Sequence, residues 1–443
     1  MREIKIGMVS LGCSKNRVDS ELMLGALQKE KYAFTDDPAR ADVIIVNTCG
    51  FIESAKQESI DTILEMAEYK KSGRLKALIV CGCLAGRYQE ELSSQLPEVD
   101  AFLGVTAYDK IAQAVEKVLE HQHFEEYDQT KAEGDYLGRV LTTPSHYAYL
   151  KIAEGCNNRC SYCAIPYIRG NLQSRPIAEI KQEAEMLLQK GVREIILVAQ
   201  DTSKYGMDFA GKSMICDLID ALAPLPGLKW LRLLYCYPDG ITDELLDTML
   251  KYENVVRYLD IPIQHLADST LKRMNRKNTH ASTYQAIQKI RQKDPAFILR
   301  TTLIAGFPGE TQEEFEVLCQ GVADLQFDRL GVFAYSQEEG TPAAEMPDQV
   351  EEAVKQERVE QLMLLQQGIS LRANQKRIGQ RLEVVIEEYL PEEDLYLGRS
   401  YAESPEIDGG IVVHAEQPLE CGKFYFVQIE DANEYELIGG IAK

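Results

Sequence analysis

The segment Lys151–Cys163, KIAEGCNNRCSYC, contains three cysteines, Cys156, Cys160 and Cys163, separated by three and then two residues. Thiolates are soft ligands that hold iron–sulfur clusters, and a cluster with only three protein thiolates keeps one iron open to another ligand. A structural zinc site would need a fourth Cys or His close by, and none follows. The spacing therefore favours a short loop around a cubane cluster, with a zinc loop or a chance group of buried thiols as the alternative.

This stretch resembles the signature of the radical S-adenosylmethionine (SAM) enzymes, CxxxCxxC with an aromatic residue before the last cysteine, here Tyr162. In that family the open iron binds SAM, and the reduced cluster cleaves it to a 5′-deoxyadenosyl radical. The resemblance implies that Cys156, Cys160 and Cys163 are cluster ligands at the catalytic centre. It also implies that Tyr162 lies beside the bound cofactor.

Length and composition are those of a large enzyme with several domains. The chain has 443 residues, eleven cysteines and a formal charge of −22. A length of this kind predicts about three domains, and cysteine usage without a secretory leader favours reduced thiols in a cytoplasmic protein. No run approaches the ~20 apolar residues of a membrane span. The acidic charge disfavours binding to a bare phosphate backbone and favours a basic partner.

The first domain, residues 1–125, has the pattern of repeated βα units around a parallel sheet. Apolar strands are predicted at 4–10, 42–47 and 77–80, and helices at 20–31 and 58–70. Each strand runs into a cysteine: Cys13, Cys49 and Cys83. Loops that follow parallel strands gather at one edge of the sheet, so we expect these three thiols to converge.

Three converging thiolates predict a second iron–sulfur cluster with an open iron. The glycines beside them, Gly12, Gly50 and Gly82, permit the tight turns that such a site needs. The alternative is that the cysteines are small core residues, as free cysteines usually are. Cys81 is expected to be such a core residue.

The two cysteine triads together resemble those of the methylthiotransferases, a branch of the radical SAM enzymes. The flanking words match as well: GCSKNRVDSE from Gly12, NTCGFI from Asn47 and GCL from Gly82. The resemblance implies two 4Fe-4S clusters, on Cys13, Cys49 and Cys83 and on Cys156, Cys160 and Cys163. It further implies two SAM molecules per product and a reducing electron donor such as a flavodoxin or ferredoxin.

The middle domain, residues 145–375, alternates strands and helices again. Six strands are predicted, at 147–152, 194–199, 231–235, 258–263, 299–304 and 330–335, which indicates a partial (β/α)6 barrel of the TIM type. Its reactive loops should follow the strands. By resemblance, Gln200 after the second strand, and Gly306 and Gly309 after the fifth, are SAM-binding residues. His265, after the fourth strand, is more typical of a hydrogen-bonded structural residue.

The tail, residues 376–443, follows a helical stretch at about 350–375 and contains five short β-rich runs. These predict a small five-stranded barrel, which the resemblance identifies as a TRAM domain. TRAM domains often bind RNA, a task that favours a basic surface. This tail has six Lys and Arg against fifteen Asp and Glu, a formal charge of −9. A basic protein is therefore the better partner, and direct RNA contact stays open.

Within the branch, the whole chain most resembles the ribosomal-protein type, which methylthiolates the β-carbon of an aspartate in small-subunit ribosomal protein twelve. A methylthiotransferase for tRNA adenosine is the main alternative, since it shares both cysteine triads. A non-enzymatic Fe–S sensor or carrier is an alternative of another class. The acidic tail favours the protein substrate.

Overall fold

The structure, a computed structural model, describes residues 3–71, 73–127 and 134–442. Their contacts divide the chain into two units. The first unit comprises Met1–Thr142, Tyr149–Ser174 and Ser336–Ala344. The second comprises Thr143–Ala148, Arg175–Tyr335 and Glu345–Lys443. Both cysteine triads therefore lie in the first unit.

A six-stranded parallel sheet organises the first unit. The order of its strands is β2-β1-β3-β4-β5-β6, and every pair in it is parallel. The strands are β1 (Lys5–Ser10), β2 (Ala33–Phe34), β3 (Val43–Thr48), β4 (Ala77–Gly82), β5 (Ala101–Leu103) and β6 (Phe124–Glu126). The four main helices are α1 (Ser14–Lys29), α2 (Glu53–Lys71), α3 (Cys83–Gln95) and α4 (Ile111–Leu119).

The central strands of this sheet are buried on both faces. Every residue of β3 and β4 is buried, as the uninterrupted apolar run in each strand predicts for a parallel sheet covered by helices. The predicted strands are confirmed. The helix starts predicted at Ser20 and Glu58 are wrong, because α1 begins at Ser14 and α2 at Glu53.

The CxxxCxxC segment is held between short elements. Strand β7 (Tyr147–Lys151) begins in the second unit and ends in the first, and is followed by β8 (Ala153–Glu154). After the cysteine loop come α5 (Ile165–Ile168) and β9 (Gln173–Ser174). Strands β8 and β9 pair antiparallel, which closes the base of the loop.

The predicted six-stranded sheet has the order β14-β13-β12-β11-β10-β7, and its strands β10 to β14 belong to the second unit. Neighbours from β10 to β14 pair parallel. The strands are β10 (Glu194–Val198), β11 (Trp230–Leu233), β12 (Val255–Asp260), β13 (Ile298–Ala305) and β14 (Arg329–Ala334). The helices are α6 (Ile177–Gln189), α7 (Met207–Ala210), α8 (Ile215–Leu222), α9 (Asp243–Lys251), α10 (Asp268–Arg273), α11 (His280–Lys293), α12 (Gln312–Leu325) and α13 (Glu352–Gln375).

The tail forms the predicted small barrel. Its five strands close in the order β15-β16-β17-β19-β18 around an apolar core of valine, isoleucine and leucine. They are β15 (Arg381–Leu390), β16 (Leu395–Arg399), β17 (Ile411–His414), β18 (Phe424–Ala432) and β19 (Leu437–Ile441). Across the residues that the structure describes, no helix combines the length and apolar character needed to span a membrane.

The barrel packs against the parallel sheet inside the second unit. The connection from β16 to β17 supplies Tyr401, whose carbonyl oxygen accepts a hydrogen bond from Arg232 at 2.9 Å. It also supplies Asp408, which accepts one from the Tyr258 hydroxyl at 2.7 Å. The rings of Trp230 and Phe424 meet edge to face, with centroids 4.9 Å apart. Sheet and barrel therefore share one buried interface.

Candidate functional site

The thiols of the first triad lie at matching ends of three neighbouring strands. Cys13 caps the start of α1 after β1, Cys49 follows β3, and Cys83 is the first residue of α3 after β4. Because β1, β3 and β4 pair parallel, their carboxyl ends share one edge of the sheet. A methyl group on Gly12 would lie 2.9 Å from the Cys49 Cβ atom and 3.3 Å from its sulfur. Gly12 has φ +86°, so the approach of the first two loops requires glycine.

The electrostatic surroundings of these thiols are mixed. The pKa of Cys83 is raised to about 12, mainly by burial; Arg169 acts to lower it, and the other two thiols act to raise it. Burial also raises the pKa of Cys49. Desolvation by surrounding atoms opposes ionisation of Cys13, but Lys15, Arg169 and backbone N–H groups of α1 outweigh it, so its pKa is lowered. Cys13 is therefore the thiol of this triad whose surroundings best support the thiolate, the form that ligates iron.

Asn16 contacts all three loops of the first triad. Its Nδ2 atom donates to the carbonyl oxygens of Leu11, at 3.0 Å, and Thr48, at 2.8 Å. Its Oδ1 atom lies 3.6 Å from the sulfur of Cys83. The side chain is buried, with an exposed fraction of 1%. Sequence reasoning cited Asn16 only as part of a motif, because hydrogen bonds between distant loops leave no periodic signal.

A returning segment, Ser336–Ala344, supports the loop of Cys49 within the first unit. Arg87 donates from Nη1 to the carbonyl oxygen of Gly50 and to Glu338, both at 2.8 Å. Glu338 also lies 3.2 Å from the Lys56 ammonium, and its side chain is 2% exposed. Burial works against the charge of Glu338, yet Ser336, Arg87 and Lys56 together lower its pKa.

The second triad occupies a loop that folds back on itself. The N–H of Cys156 donates to the carbonyl oxygen of Gly170 at 3.1 Å, and that of Cys163 donates to the carbonyl oxygen of Cys160 at 3.1 Å. The N–H of Asn158 points at the sulfur of Cys156 from 3.5 Å. All three thiols are half-buried. Hydrogen bonds to sulfur of this kind surround iron–sulfur clusters, so the donor set fits one.

Neither triad forms a closed site for a single metal ion. Within residues 3–71, 73–127 and 134–442, no three His, Cys, Asp or Glu side chains are grouped closely enough to hold one. A cubane cluster spreads its cysteine sulfurs further apart than a single ion does. This geometry therefore does not provide the group of ligands that the zinc alternative requires. Tyr162 is half-buried between Ser161 and Cys163.

The glycine loop of the second unit is ordered by a buried carboxylate. Glu310 Oε2 accepts hydrogen bonds from the N–H groups of Gly306, at 3.0 Å, and Phe307, at 3.2 Å. Its Oε1 atom accepts one from Arg358 at 2.7 Å. Gly306 and Gly309 have φ values of +73° and +72°, and they follow β13 as predicted. Sequence reasoning missed Glu310, although an acid directly after Gly-Phe-Pro-Gly was visible.

Two other predicted positions lie after strands of the same sheet. Gln200 follows β10 and is half-buried. His265 is fully buried, and its Nδ1 atom accepts a hydrogen bond from the N–H of Ala267 at 3.0 Å. Its Nε2 atom lies 3.4 Å from Glu310 Oε2. His265 is therefore hydrogen-bonded to the backbone and lies beside the carboxylate that orders the glycine loop.

Three family patterns match the chain. They are the uncharacterized protein family UPF0004 over residues 5–104, the radical SAM superfamily over residues 150–320 and the TRAM domain over residues 378–441. Among solved structures, the radical SAM methyltransferase TsrM from Kitasatospora setae, with cobalamin and a 4Fe-4S cluster bound, gives a TM-score of 0.58 at 13% identity. It covers 86% of this chain and 76% of that chain. This likeness shows a shared fold.

Curated relatives are far more similar in sequence. The ribosomal protein uS12 methylthiotransferase RimO of Desulforamulus reducens is 50% identical over 441 residues, which cover 99% of both chains. That of Clostridioides difficile is 49% identical over 439 residues, again 99% of both. The fold, the cysteine loop and the match to the radical SAM superfamily define the protein as a radical SAM enzyme. Enzymes of this class work with SAM and 4Fe-4S clusters. The chain belongs to the family of ribosomal protein uS12 methylthiotransferases, RimO.

Proposed function

We propose that this protein methylthiolates the β-carbon of an aspartate in ribosomal protein uS12, replacing one hydrogen by a methylthio group. The observation that carries the proposal is the near 50% identity, over almost the full chain, to enzymes named for that reaction. The acidic tail, with its formal charge of −9, supports a basic protein as substrate rather than a phosphate backbone. A ribosomal substrate would place the reaction in the cytoplasm.

Six cysteines are proposed as cluster ligands. Cys156, Cys160 and Cys163 would hold the catalytic 4Fe-4S cluster, and Cys13, Cys49 and Cys83 would hold a second one. When bound and reduced, the catalytic cluster would supply the electron that cleaves SAM to a 5′-deoxyadenosyl radical. Each triad would leave one iron without a protein thiolate, and both triads belong to the same compact unit.

The chain's other residues would bind and orient the cofactor. Tyr162 is proposed to lie beside SAM, and Gln200, Gly306 and Gly309 to contact it. Glu310 fixes the backbone of the glycine loop before any ligand arrives, which lowers the entropy cost of binding. A reducing electron donor such as a flavodoxin or ferredoxin is the further partner implied. The domains would be residues 1–125, 145–375 and 376–443.

The decisive experiment is mass spectrometry of uS12 after anaerobic reaction with the reconstituted protein, SAM, sulfide and a chemical reductant. We expect the mass increment of one methylthio group on an aspartate. The matched control is Cys49→Ala, which should keep SAM cleavage measurable while losing about half of the iron and all methylthiolation. Unmodified uS12, together with a methylthio group on tRNA in a parallel reaction that contains tRNA instead, would contradict the substrate assignment. Full iron retention in Cys49→Ala would contradict the second cluster.

A further inference from the structure

Arg169 lies in a segment whose backbone supports the loop of the second triad. Besides the hydrogen bond from Cys156 to the carbonyl oxygen of Gly170, the N–H of Leu172 donates to the Asn157 side chain at 3.1 Å. Arg159 donates to the Asn171 side chain at 2.5 Å. Residues 170–172 thus hold the loop by three hydrogen bonds.

The guanidinium of the same residue reaches the first triad. Its Nη2 atom donates to Asn16 Oδ1 at 2.5 Å and to Asp19 at 3.1 Å. Asn16 Oδ1 is the atom that lies 3.6 Å from the sulfur of Cys83. The positive charge of Arg169 also acts to lower the pKa of all three thiols of the first triad. A single side chain therefore touches the residue that joins the three cysteine loops.

Acidic residues fix the guanidinium in this place. Its Nη1 atom donates to both carboxylate oxygens of Glu154 at 2.9 Å, two residues before Cys156. Lys151 pairs with Glu154 at 3.0 Å and with Asp19. The side chains of Arg169, Asp19 and Lys151 are at most 5% exposed. Two buried cations and two carboxylates balance formally, so removing one cation leaves negative charge beside the thiolates.

We propose that Arg169 is a positioning residue shared by both cluster sites. Through Asn16 it orders the loops of Cys13, Cys49 and Cys83 and places a positive charge beside them, and through Glu154 and its own backbone segment it holds Cys156. Outer-shell partners of this kind set the reduction potential of a cluster and the retention of its metal. The inference rests on the proposed assignment of the six cysteines as ligands.

The test uses two forms of the full-length chain, each of which keeps the cysteines of only one triad. In the chain carrying Cys156→Ala, Cys160→Ala and Cys163→Ala, reconstituted anaerobically, the midpoint potential of the first cluster is followed by electron paramagnetic resonance, and iron loss to a chelator is timed. Arg169→Met should shift the midpoint to a more negative value, because a positive charge is lost, and speed iron loss about 10-fold. Arg169→Lys should keep the midpoint near that of the parent while iron loss still accelerates. In the converse chain, lacking Cys13, Cys49 and Cys83, Arg169→Met should also speed iron loss.

The matched control is Arg139→Met, which removes another buried arginine of the same unit. Arg139 pairs with Glu21 at 3.1 Å and donates to the carbonyl oxygen of Tyr149. We expect both readouts to stay at the parent values. Equal changes in Arg139→Met, or none in Arg169→Met, would overturn the proposal. If Arg169→Met does not fold, unchanged iron loss in Arg169→Lys would overturn it. A single-triad parent that takes up no iron would instead overturn the ligand assignment, and this inference with it.

Discussion

Single residues show how one residue type takes different roles in this chain. The sulfur of Cys81 lies 3.6 Å from the carbonyl oxygen of Val46, is almost fully buried, and has its pKa raised by burial. Cys236 is likewise buried, with its pKa raised by burial. Cys13 is exposed and has a lowered pKa. Burial therefore sets Cys13 apart from the core thiols, whereas Cys83 is as buried as they are and is distinguished from them by its place at the end of a strand beside Cys13 and Cys49.

A buried carboxylate in the second unit makes a prediction about acid stability. Glu403 accepts hydrogen bonds from Arg377, Arg329 and the Ser400 backbone. Burial opposes its charge, but Arg377 and Arg329 lower its pKa to about 2. Because the folded pKa lies below the unfolded value of 4.5, the stabilisation is complete above pH 4.5 and is lost as the pH falls toward 2. Its size is about 3 kcal/mol.

We expect Glu403→Gln to lower the melting temperature at pH 7 and to flatten its decline between about pH 5 and pH 3. Thermal unfolding followed by circular dichroism across that range checks this. Glu392→Gln, which changes an exposed acid of the same barrel, is the control and should behave as the parent. If the melting temperature of Glu403→Gln falls with pH as steeply as that of the parent, Glu403 does not contribute this pH-dependent stability.

Strands could be predicted where the buried residues are apolar. The six strands of the middle sheet and the five of the small barrel follow from hydrophobic patterning. The first turns of α1 could not be predicted from this patterning, because several of their residues are polar and yet buried: Asn16, Asp19, Ser20 and Glu21. Their burial depends on partners far along the chain, such as Arg169, 150 residues from Asp19. The cysteine positions were visible as motifs, but their supporting side chains were not.

The glycine loop after β13 gives a prediction at the scale of an element. Removing the Glu310 carboxylate takes away the acceptor of the Gly306 and Phe307 N–H groups and leaves Arg358 with only the Glu310 carbonyl oxygen as its acceptor at this residue. We expect Glu310→Ala to weaken SAM binding about 10-fold, since hydrogen bonds to charged groups contribute about 1.5–3 kcal/mol. Anaerobic titration calorimetry with SAM measures this. Glu316→Ala, on the exposed side of α12, is the control, and unchanged affinity in Glu310→Ala would refute the role of the loop.

At the scale of the whole molecule, the small barrel and the middle sheet belong to one compact unit, the second unit. Ion pairs join the barrel to the sheet. Glu194 of β10 pairs with Arg232 at 2.7 Å and with Arg399 of the barrel. Arg399 in turn pairs with Glu387 at 2.7 Å. Breaking such buried pairs from one side is costly, because the partner is left charged and desolvated.

A chain ending at Gln375 should therefore fail to form a stable middle sheet. The truncation would leave Glu194, Arg232 and Tyr258 without the barrel groups that they contact. We expect a lower melting temperature and faster proteolysis of residues 175–335, measured by thermal unfolding and limited digestion. Phe426→Ala, an exposed barrel residue, is the control and should match the parent. A truncated chain as stable as the full one would show that the barrel is separable.

The pairing of Arg87 with Glu338 also bears on the order in which the protein is made. Arg87 holds the Gly50 carbonyl beside Cys49, and its carboxylate partner comes 251 residues later. A ribosome must translate past residue 338 before that support exists. The loop of Cys49, encoded near the start of the gene, thus gains this support only after most of the polypeptide has been made, and a cluster bound there as proposed would be loaded late in synthesis.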